Sequence, residues 1–190
     1  MNLFSSFIMN LSLLESLKQW TNCTQFQIIY DTRVEEFTIQ QIQRILYGKD
    51  NIVLLIQTVE NDLFGTYHSQ IPTKRIVQQP QQFSNWIGKS DENIFLFSLN
   101  NHNSPNNPLK FLSKALTETC LCLNTNESHF EIVLWISYCI NLLKPLNSSK
   151  SFVFHSIKDY FYVNSPDDLL GKPNFMSTFI PKRFLILQGN

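Results

Sequence analysis

The hydrophobic positions near the start of the chain recur at helical spacing. Seven apolar residues lie on one face of the helix that this spacing describes: Leu3, Phe4, Phe7, Ile8, Leu11, Leu14 and Leu17. The period predicts an amphipathic helix over residues 1–20. Ser12 and Glu15 also have the spacing of a capping box, which leaves open a helix that begins there.

A strand and a second helix are expected next. The run Gln25–Tyr30 (QFQIIY) is apolar and β-prone, which predicts a strand. Asp31 or Thr32 is the expected N-cap of the following helix, and Thr32 with Glu35 has capping-box spacing. Gly48 stands where a helix typically stops. The pattern therefore predicts two helices on either side of a strand.

From residue 51 the period changes to that of strands. The runs IVLLIQT and LFGTYHS predict a hairpin that turns at Glu60-Asn61-Asp62. Residues 69–92 are polar and contain two prolines and a glycine, which predicts a surface loop. Ile94–Leu99 (IFLFSL) is typical of a buried strand. Asn100–Pro108 (NNHNSPNNP) is the clearest loop in the chain.

The second half predicts further short strands. Leu109–Thr119 suits either a short helix or a strand. Five strands are expected after it: Leu121–Leu123, Phe130–Cys139, Phe152–Ile157, Tyr160–Val163 and Phe184–Leu187. The third and fourth of these are expected to pair around a turn at Lys158-Asp159. Asn164–Pro181 is rich in loop residues. Many short strands with few helices predict an α+β fold, a β-rich sandwich with flanking helices.

The large apolar residues of these segments are the candidates for the core. They fall in the runs assigned to helices and strands, and we expect them to be buried together in one core: Trp20, Tyr30, Phe37, Leu54, Ile56, Phe64, Phe95, Phe97 and Phe184. The burial of one such aromatic side chain is worth several kcal/mol, so this set should dominate the stability of the fold.

Composition and charge exclude several classes of protein. The chain has 190 residues, and its 15 Lys and Arg balance its 15 Asp and Glu. Zero net charge removes a global attraction to nucleic acid or to an anionic membrane and leaves only local patches. No run approaches the roughly 18 apolar residues of a membrane span. Four cysteines do not make a disulfide scaffold. We therefore expect a soluble intracellular protein, cytoplasmic or alternatively nuclear.

The order of these segments along the chain resembles that of the TLDc domain family. The resemblance is carried by Ile28-Ile29-Tyr30-Asp31, Phe37, Leu54-Leu55-Ile56, Leu63-Phe64-Gly65-Thr66-Tyr67, Trp86 and Asn93–Leu99, and less specifically by residues 154–163 and 184–188. It implies two antiparallel sheets flanked by helices, in a single TLDc-like domain over residues 1–190. The chain departs from the family at Lys182-Arg183-Phe184, where the family's closing strand has an acidic residue.

The resemblance also implies a function. TLDc proteins are linked to protection from oxidative damage, and several associate with the vacuolar proton-pumping ATPase. The chain is therefore expected to be a non-enzymatic stress-response domain that acts through a protein partner and without a cofactor. Eight residues match the family's motifs, and we expect them to be structural: Tyr30, Asp31, Phe37, Phe64, Gly65, Tyr67, Phe95 and Phe97.

Two other classes of function stay open. The first is a small DNA-binding transcription factor of oxidative-stress genes, for which Lys74, Arg75, Lys182 and Arg183 are the candidate phosphate contacts.

The second alternative is a thiol-dependent enzyme that handles peroxide. Cys120 and Cys122, with His129 and Cys139 downstream, are of the residue types that bind zinc, but their spacing matches no closed metal site. No cysteine has a recognisable activating neighbour, so we expect no peroxidatic thiol, no other catalytic residue and no metal site.

Overall fold

The part of the chain that the structure describes consists of twelve strands and four short helices. This computed structural model describes residues 11–71, 85–89, 93–114, 119–123, 132–136, 139–171 and 176–190, with the backbone alone at 85–89, 119–120, 122–123, 132 and 176. The helices are α1 Leu11–Thr21, α2 Ile39–Leu46, α3 Ile157–Tyr160 and α4 Asp167–Leu170. The strands are β1 Phe26–Asp31, β2 Asp50–Thr58, β3 Leu63–Gln70, β4 Asn85–Lys89, β5 Phe95–Asn100, β6 Leu109–Leu112, β7 Thr119–Leu123, β8 Ile132–Ile136, β9 Ile140–Leu143, β10 Ser151–Phe154, β11 Met176–Phe179 and β12 Pro181–Gly189.

The strands form two six-stranded antiparallel sheets. The order in the first sheet is β1-β12-β2-β3-β5-β6, and in the second it is β11-β10-β9-β8-β7-β4. Every pair within them is antiparallel. The predicted β-rich α+β sandwich is therefore confirmed. The closing strand β12 lies between β1 and β2, so the last residues of the chain occupy the interior of the first sheet.

The first sheet is buried on both faces, and this divides the apolar residues into two clusters. Successive side chains of a strand point to opposite faces. Leu54 and Ile56 of β2 therefore join an inner core shared with the second sheet. Val53 and Leu55 of the same strand join an outer core closed by α1.

The prediction of a single core is therefore wrong, although most of the nine residues proposed for it are buried. Five lie in the inner core, namely Tyr30, Leu54, Ile56, Phe64 and Phe184. Phe95 and Phe97 lie in the outer core instead. Phe37 packs half-buried against the inner core and Trp20 against the outer one.

The N-terminal helix and strand are confirmed over the described residues, but the predicted cap is wrong. Residues 1–10 of the predicted helix lie outside the described range. Residues 32–34 form a turn, and α2 begins only at Ile39. Its N-cap is Thr38, whose hydroxyl oxygen accepts the Gln41 backbone N–H at 3.3 Å. The expected stop is confirmed, because Gly48 adopts φ +68° just after the helix.

The strands after residue 50 follow the prediction as far as residue 114, with one addition. The β2–β3 hairpin and the loop after β5 are confirmed, and Leu109–Leu112 is a strand. Within the predicted loop 69–92, Asn85–Lys89 forms β4 and pairs with β7. The polar composition of this stretch did not indicate a strand, because pairing with a distant segment decides it.

In the later part of the chain, the structure differs from the predicted strands and loop at several places. Within the expected strand Phe130–Cys139, β8 spans Ile132–Ile136, whereas Cys139 lies in a turn that leads into the separate strand β9. The expected turn at Lys158-Asp159 is wrong, because α3 forms over Ile157–Tyr160. The expected strand Tyr160–Val163 is reduced to a single bridge between Phe161 and Ser113. Ile157 and Phe161, four residues apart, are both buried in the inner core, a spacing that favours a helical turn. Within the predicted loop Asn164–Pro181, α4 and β11 form.

The helices of the described residues are short. None of them is long and apolar enough to cross a membrane.

Candidate functional site

The residues that match the family motifs do not meet at one site. Tyr30 is buried, and its hydroxyl donates a hydrogen bond to the Glu36 carbonyl at 2.8 Å. Burial, helped by the charges of Glu35 and Asp31, raises the pKa of this hydroxyl. Tyr67 lies on the other face of the sheet and donates to the Asn51 side-chain oxygen at 2.8 Å.

The aromatic rings of the motifs pack within the two cores. On the inner face, Phe37 lies against Phe184 with ring centroids 5.8 Å apart, and Phe64 lies against Phe179 at 5.2 Å. On the outer face, Phe95 stacks on the Tyr67 ring at 5.0 Å and contacts the Phe97 ring at 6.2 Å. These contacts build the sheet faces rather than a pocket.

Gly65 lies where two strands approach closely. A Cβ atom there would overlap the Leu54 carbonyl oxygen of the neighbouring strand and press on the Phe97 ring. The position therefore admits little beyond hydrogen, as expected for a glycine within a strand.

Asp31 and Arg183 form a buried ion pair between the edge strand β1 and its neighbour β12. The guanidinium donates from Nε to Oδ1 at 2.9 Å and from a terminal nitrogen to Oδ2 at 2.5 Å. The Arg33 backbone N–H donates to the same carboxylate at 3.0 Å. Burial alone raises the pKa of Asp31, but the hydrogen bonds and charges of Arg183 and Arg33 outweigh it, so the pKa is lowered.

This pairing corrects one of the nucleic-acid candidates. Arg183 is only 4% exposed, and Nε and one terminal nitrogen of its guanidinium bind Asp31, so it does not face a phosphate from outside. The neighbouring Lys182 is exposed. Lys74 and Arg75 lie outside the described residues. Of the four candidates, Lys182 alone is exposed within the described residues.

The described thiols are buried. Cys139 is fully buried in the inner core, and this burial, with a smaller contribution from the Asp159 charge, raises the pKa of its thiol. Cys23 is buried in the outer core beside Gly189. The side chains of Cys120 and Cys122, and the residue His129, lie outside the described part of the chain. A raised pKa disfavours the thiolate, which is the reactive form of cysteine.

Glu60, Asp62 and His102 bring potential metal ligands within 4.8 Å of one another. The Asp62 carboxylate is fully buried and already used. One oxygen accepts the His102 backbone N–H at 3.1 Å and lies 2.9 Å from the His102 ring Nδ1, and the other accepts the Thr58 hydroxyl at 3.2 Å. These bonds tie the β2–β3 turn to the loop after β5. The Asp62 carboxylate of this cluster therefore has a structural role.

An exposed surface lies along β6, the edge strand of the first sheet. Phe111 points inward and is buried, whereas Lys110 and Leu112 are exposed on the opposite face of the strand. Lys114, two residues past the end of β6, is also exposed. Tyr162 lies across from Leu112, because its backbone N–H donates to the Leu112 carbonyl at 2.9 Å. Leu112 is 57% exposed and Tyr162 is 67% exposed. We call these four residues, Lys110, Leu112, Lys114 and Tyr162, the β6 surface.

A cleft of about 590 Å³ adjoins the β6 surface beside the end of α1. Trp20, Asn22, Asn51, Tyr67, Lys110 and Leu112 contribute to its walls. The Lys110 ammonium lies 4.2 Å from the centre of the Phe95 ring and donates to the Trp20 carbonyl at 3.3 Å. Partial burial lowers the pKa of Lys110.

The sequence did not single out the β6 surface. Lys-x-Leu-x-Lys places three side chains on one face only if the segment is a strand, and Leu109–Thr119 suited a helix equally well. The alternation of exposed and buried residues from Lys110 to Lys114 is the signal that identifies it.

Two antiparallel sheets, with α1 covering the outer face and an exposed strip at one edge, define a β-sandwich domain with a surface open to binding. Comparison with known families agrees with the arrangement of motifs. The chain belongs to the TLDc domain family, whose model matches residues 3–132. A search of the curated proteins found no match.

Proposed function

We propose that this chain is a non-enzymatic, cytoplasmic interaction domain that helps protect cells from oxidative damage by binding a protein partner. The observation that carries the proposal is its membership of the TLDc domain family. By resemblance to other TLDc proteins, the vacuolar proton-pumping ATPase is the partner that we expect.

The chemistry of the described residues supports binding rather than catalysis. Asp31 and Arg183 are bound to each other, the Asp62 carboxylate holds a turn, and the Cys139 thiol is buried. Each of these groups has a structural role where it lies. The exposed β6 surface, in contrast, combines apolar and charged side chains, a mixture that suits contact with another protein.

A protein partner is favoured over DNA by charge. The chain has no net charge, and of the four candidate phosphate contacts only Lys182 is exposed within the described residues. Phosphate contacts supply most of the affinity of proteins for duplex DNA. Among the described residues, the candidate phosphate contacts therefore do not form a basic patch.

The proposal is tested by deleting the gene and measuring survival after peroxide, with the wild-type chain restored at matched expression. We expect deletion to lower survival and the wild-type chain to restore it. Proximity labelling from the same chain, with and without peroxide, should enrich subunits of the vacuolar ATPase. Unchanged survival would contradict the proposal.

A DNA-binding measurement distinguishes the transcription-factor hypothesis from the proposed function. Fluorescence anisotropy with duplex DNA at two salt concentrations should show only weak binding that is indifferent to sequence. Tight binding to one sequence, lost in Lys182→Ala or in Lys74→Ala with Arg75→Ala, would favour the transcription-factor hypothesis.

A further inference from the structure

The β6 surface is an uncovered part of an otherwise covered sheet face. Lys110 contacts Phe95, which belongs to the outer core that α1 closes. At the edge strand the helix no longer covers the face, and Leu112 and Tyr162 remain exposed beside each other. Among the described residues, five large hydrophobic side chains are exposed, and these two are adjacent. Exposed apolar groups placed together are typical of interaction sites.

The charges of this surface are of one sign. Lys110 and Lys114 make no ion pair with a carboxylate of the described residues. Lys114 instead donates to the Lys158 carbonyl at 2.6 Å and lies 5.3 Å from the centre of the Tyr162 ring. Carbonyls and rings orient both ammonium groups without neutralising them. The surface is therefore complementary to a partner that brings carboxylates.

The cleft offers room for one such carboxylate beside Lys110. Of the described residues that line it, Lys110 carries the one charged side chain, and none of the others is acidic. An ammonium group has three N–H donors, and one of those of Lys110 is used by Trp20. Asn22 and Asn51 add amide groups to the same walls. A carboxylate that entered here would meet donors from several sides.

We propose that the β6 surface binds an acidic segment of the protein partner, with one carboxylate at Lys110, another at Lys114, and an apolar side chain between them on Leu112 and Tyr162. This inference rests on the proposed function, and it adds the chemistry of the partner. The two lysines are four residues apart, with Lys110 in β6 and Lys114 two residues past its end, so their Cα atoms are at most about 14 Å apart. An extended segment with acidic residues at positions i and i+4 and an apolar residue at i+2 matches that span.

The probe for the first test is a peptide with the core Glu-Ser-Leu-Ser-Glu, titrated into the full chain and followed by amide chemical shifts. Its matched control is Gln-Ser-Leu-Ser-Gln. Two exposed ion pairs together are worth roughly a tenfold difference in affinity. We expect the acidic peptide to bind about tenfold more tightly and to shift residues of β6. Equal binding of the two peptides, or no binding of either, would overturn the proposal.

Variants of the chain locate the binding. Lys110→Glu with Lys114→Glu should lower the affinity for the acidic peptide by at least about tenfold. Lys182→Glu also reverses the charge of an exposed lysine, and it should change this affinity by less than about twofold. Equal losses would mean non-specific attraction and contradict the proposal. Duplex DNA that bound more tightly than the peptide, and was released by the same double variant, would make this a nucleic-acid interface instead.

The survival assay distinguishes the two proposals. If the wild-type chain protects cells and the folded double variant does not, the proposed function and the proposed binding surface are both supported. If both chains protect equally, the β6 surface is not the partner site, while the proposed function stands. If the wild-type chain does not protect, the proposed function fails, and the peptide titrations alone decide whether the surface recognises acidic segments.

Discussion

The Asp31–Arg183 pair is the residue-scale feature with the clearest energetic consequence. Two opposite charges are removed from water, and the cost is offset by two charge-assisted hydrogen bonds and by the Arg33 backbone N–H. The loss of either partner leaves the other charge buried and unpaired. The pair also joins β1 to β12, which are 152 residues apart in sequence at this point.

We predict that Arg183→Met or Asp31→Leu alone lowers the free energy of unfolding by about 3–5 kcal/mol. The double variant should be closer to wild type than either single variant, because no buried charge is then left unpaired. Urea denaturation of the full chain measures all three.

Arg33→Met is the matched control for this prediction. Arg33 Nε lies 3.6 Å from the same Asp31 carboxylate, but its side chain is 49% exposed. An exposed pair is worth at most about 1 kcal/mol. The assignment of a buried pair would be contradicted if Arg33→Met lowered the free energy of unfolding as much as Arg183→Met does. It would also be contradicted if the double variant were no more stable than the single variants.

The lowered pKa of Asp31 makes stability depend on pH in a definite direction. The folded state holds the pKa below the ordinary value of 3.8, so the carboxylate stabilises the fold above that value. This contribution is lost as the pH falls through the folded pKa. We predict that the difference in unfolding free energy between wild type and Asp31→Asn is largest near about pH 7 and shrinks toward about pH 3. A difference that grew on acidification would contradict the prediction.

At the scale of elements, α1 determines whether the first sheet has a dry outer face. Leu13 and Leu17 of the helix are buried against residues of β2, β3, β5 and β12. The helix thus allows β2 to be apolar on both sides. Where its cover ends, the same sheet face becomes the β6 surface.

We predict that Leu17→Ala lowers the free energy of unfolding by about 2–5 kcal/mol, because it leaves a cavity beneath the helix. Leu11→Ala is the matched control in the same helix. Leu11 is 76% exposed, whereas Leu17 is fully buried, so the control should cost much less. Similar losses in thermal or urea denaturation would show that α1 does not pack as described.

At the scale of the whole molecule, the position of β12 makes the fold depend on both ends of the chain. The family model ends at residue 132, but β12 begins at Pro181 and pairs with β1 on one side and β2 on the other. Without it, β1 has no partner and the edge of β2 is open. The first sheet is therefore completed only by the final residues.

We predict that a fragment of residues 1–132 does not fold cooperatively, since it lacks β12 and part of the second sheet. Circular dichroism during thermal denaturation should show no sigmoidal transition for the fragment and a clear one for the full chain. Addition of a fragment of residues 133–190 should restore part of the signal. A cooperative transition of the 1–132 fragment alone would contradict the topology.

The sequence by itself determined the strands of the first sheet other than β6, the β2–β3 turn, the stop at Gly48 and the family. These features depend on short-range periodicity and turn chemistry, which are legible within a few residues. Only the tertiary structure decided that Asp31 binds Arg183 instead of capping a helix, and that the apolar residues form two cores. It also decided that Arg183 is buried while Lys110 and Lys114 are exposed. The physical reason is that burial depends on which face of a strand is covered, and distant segments of the chain supply that cover.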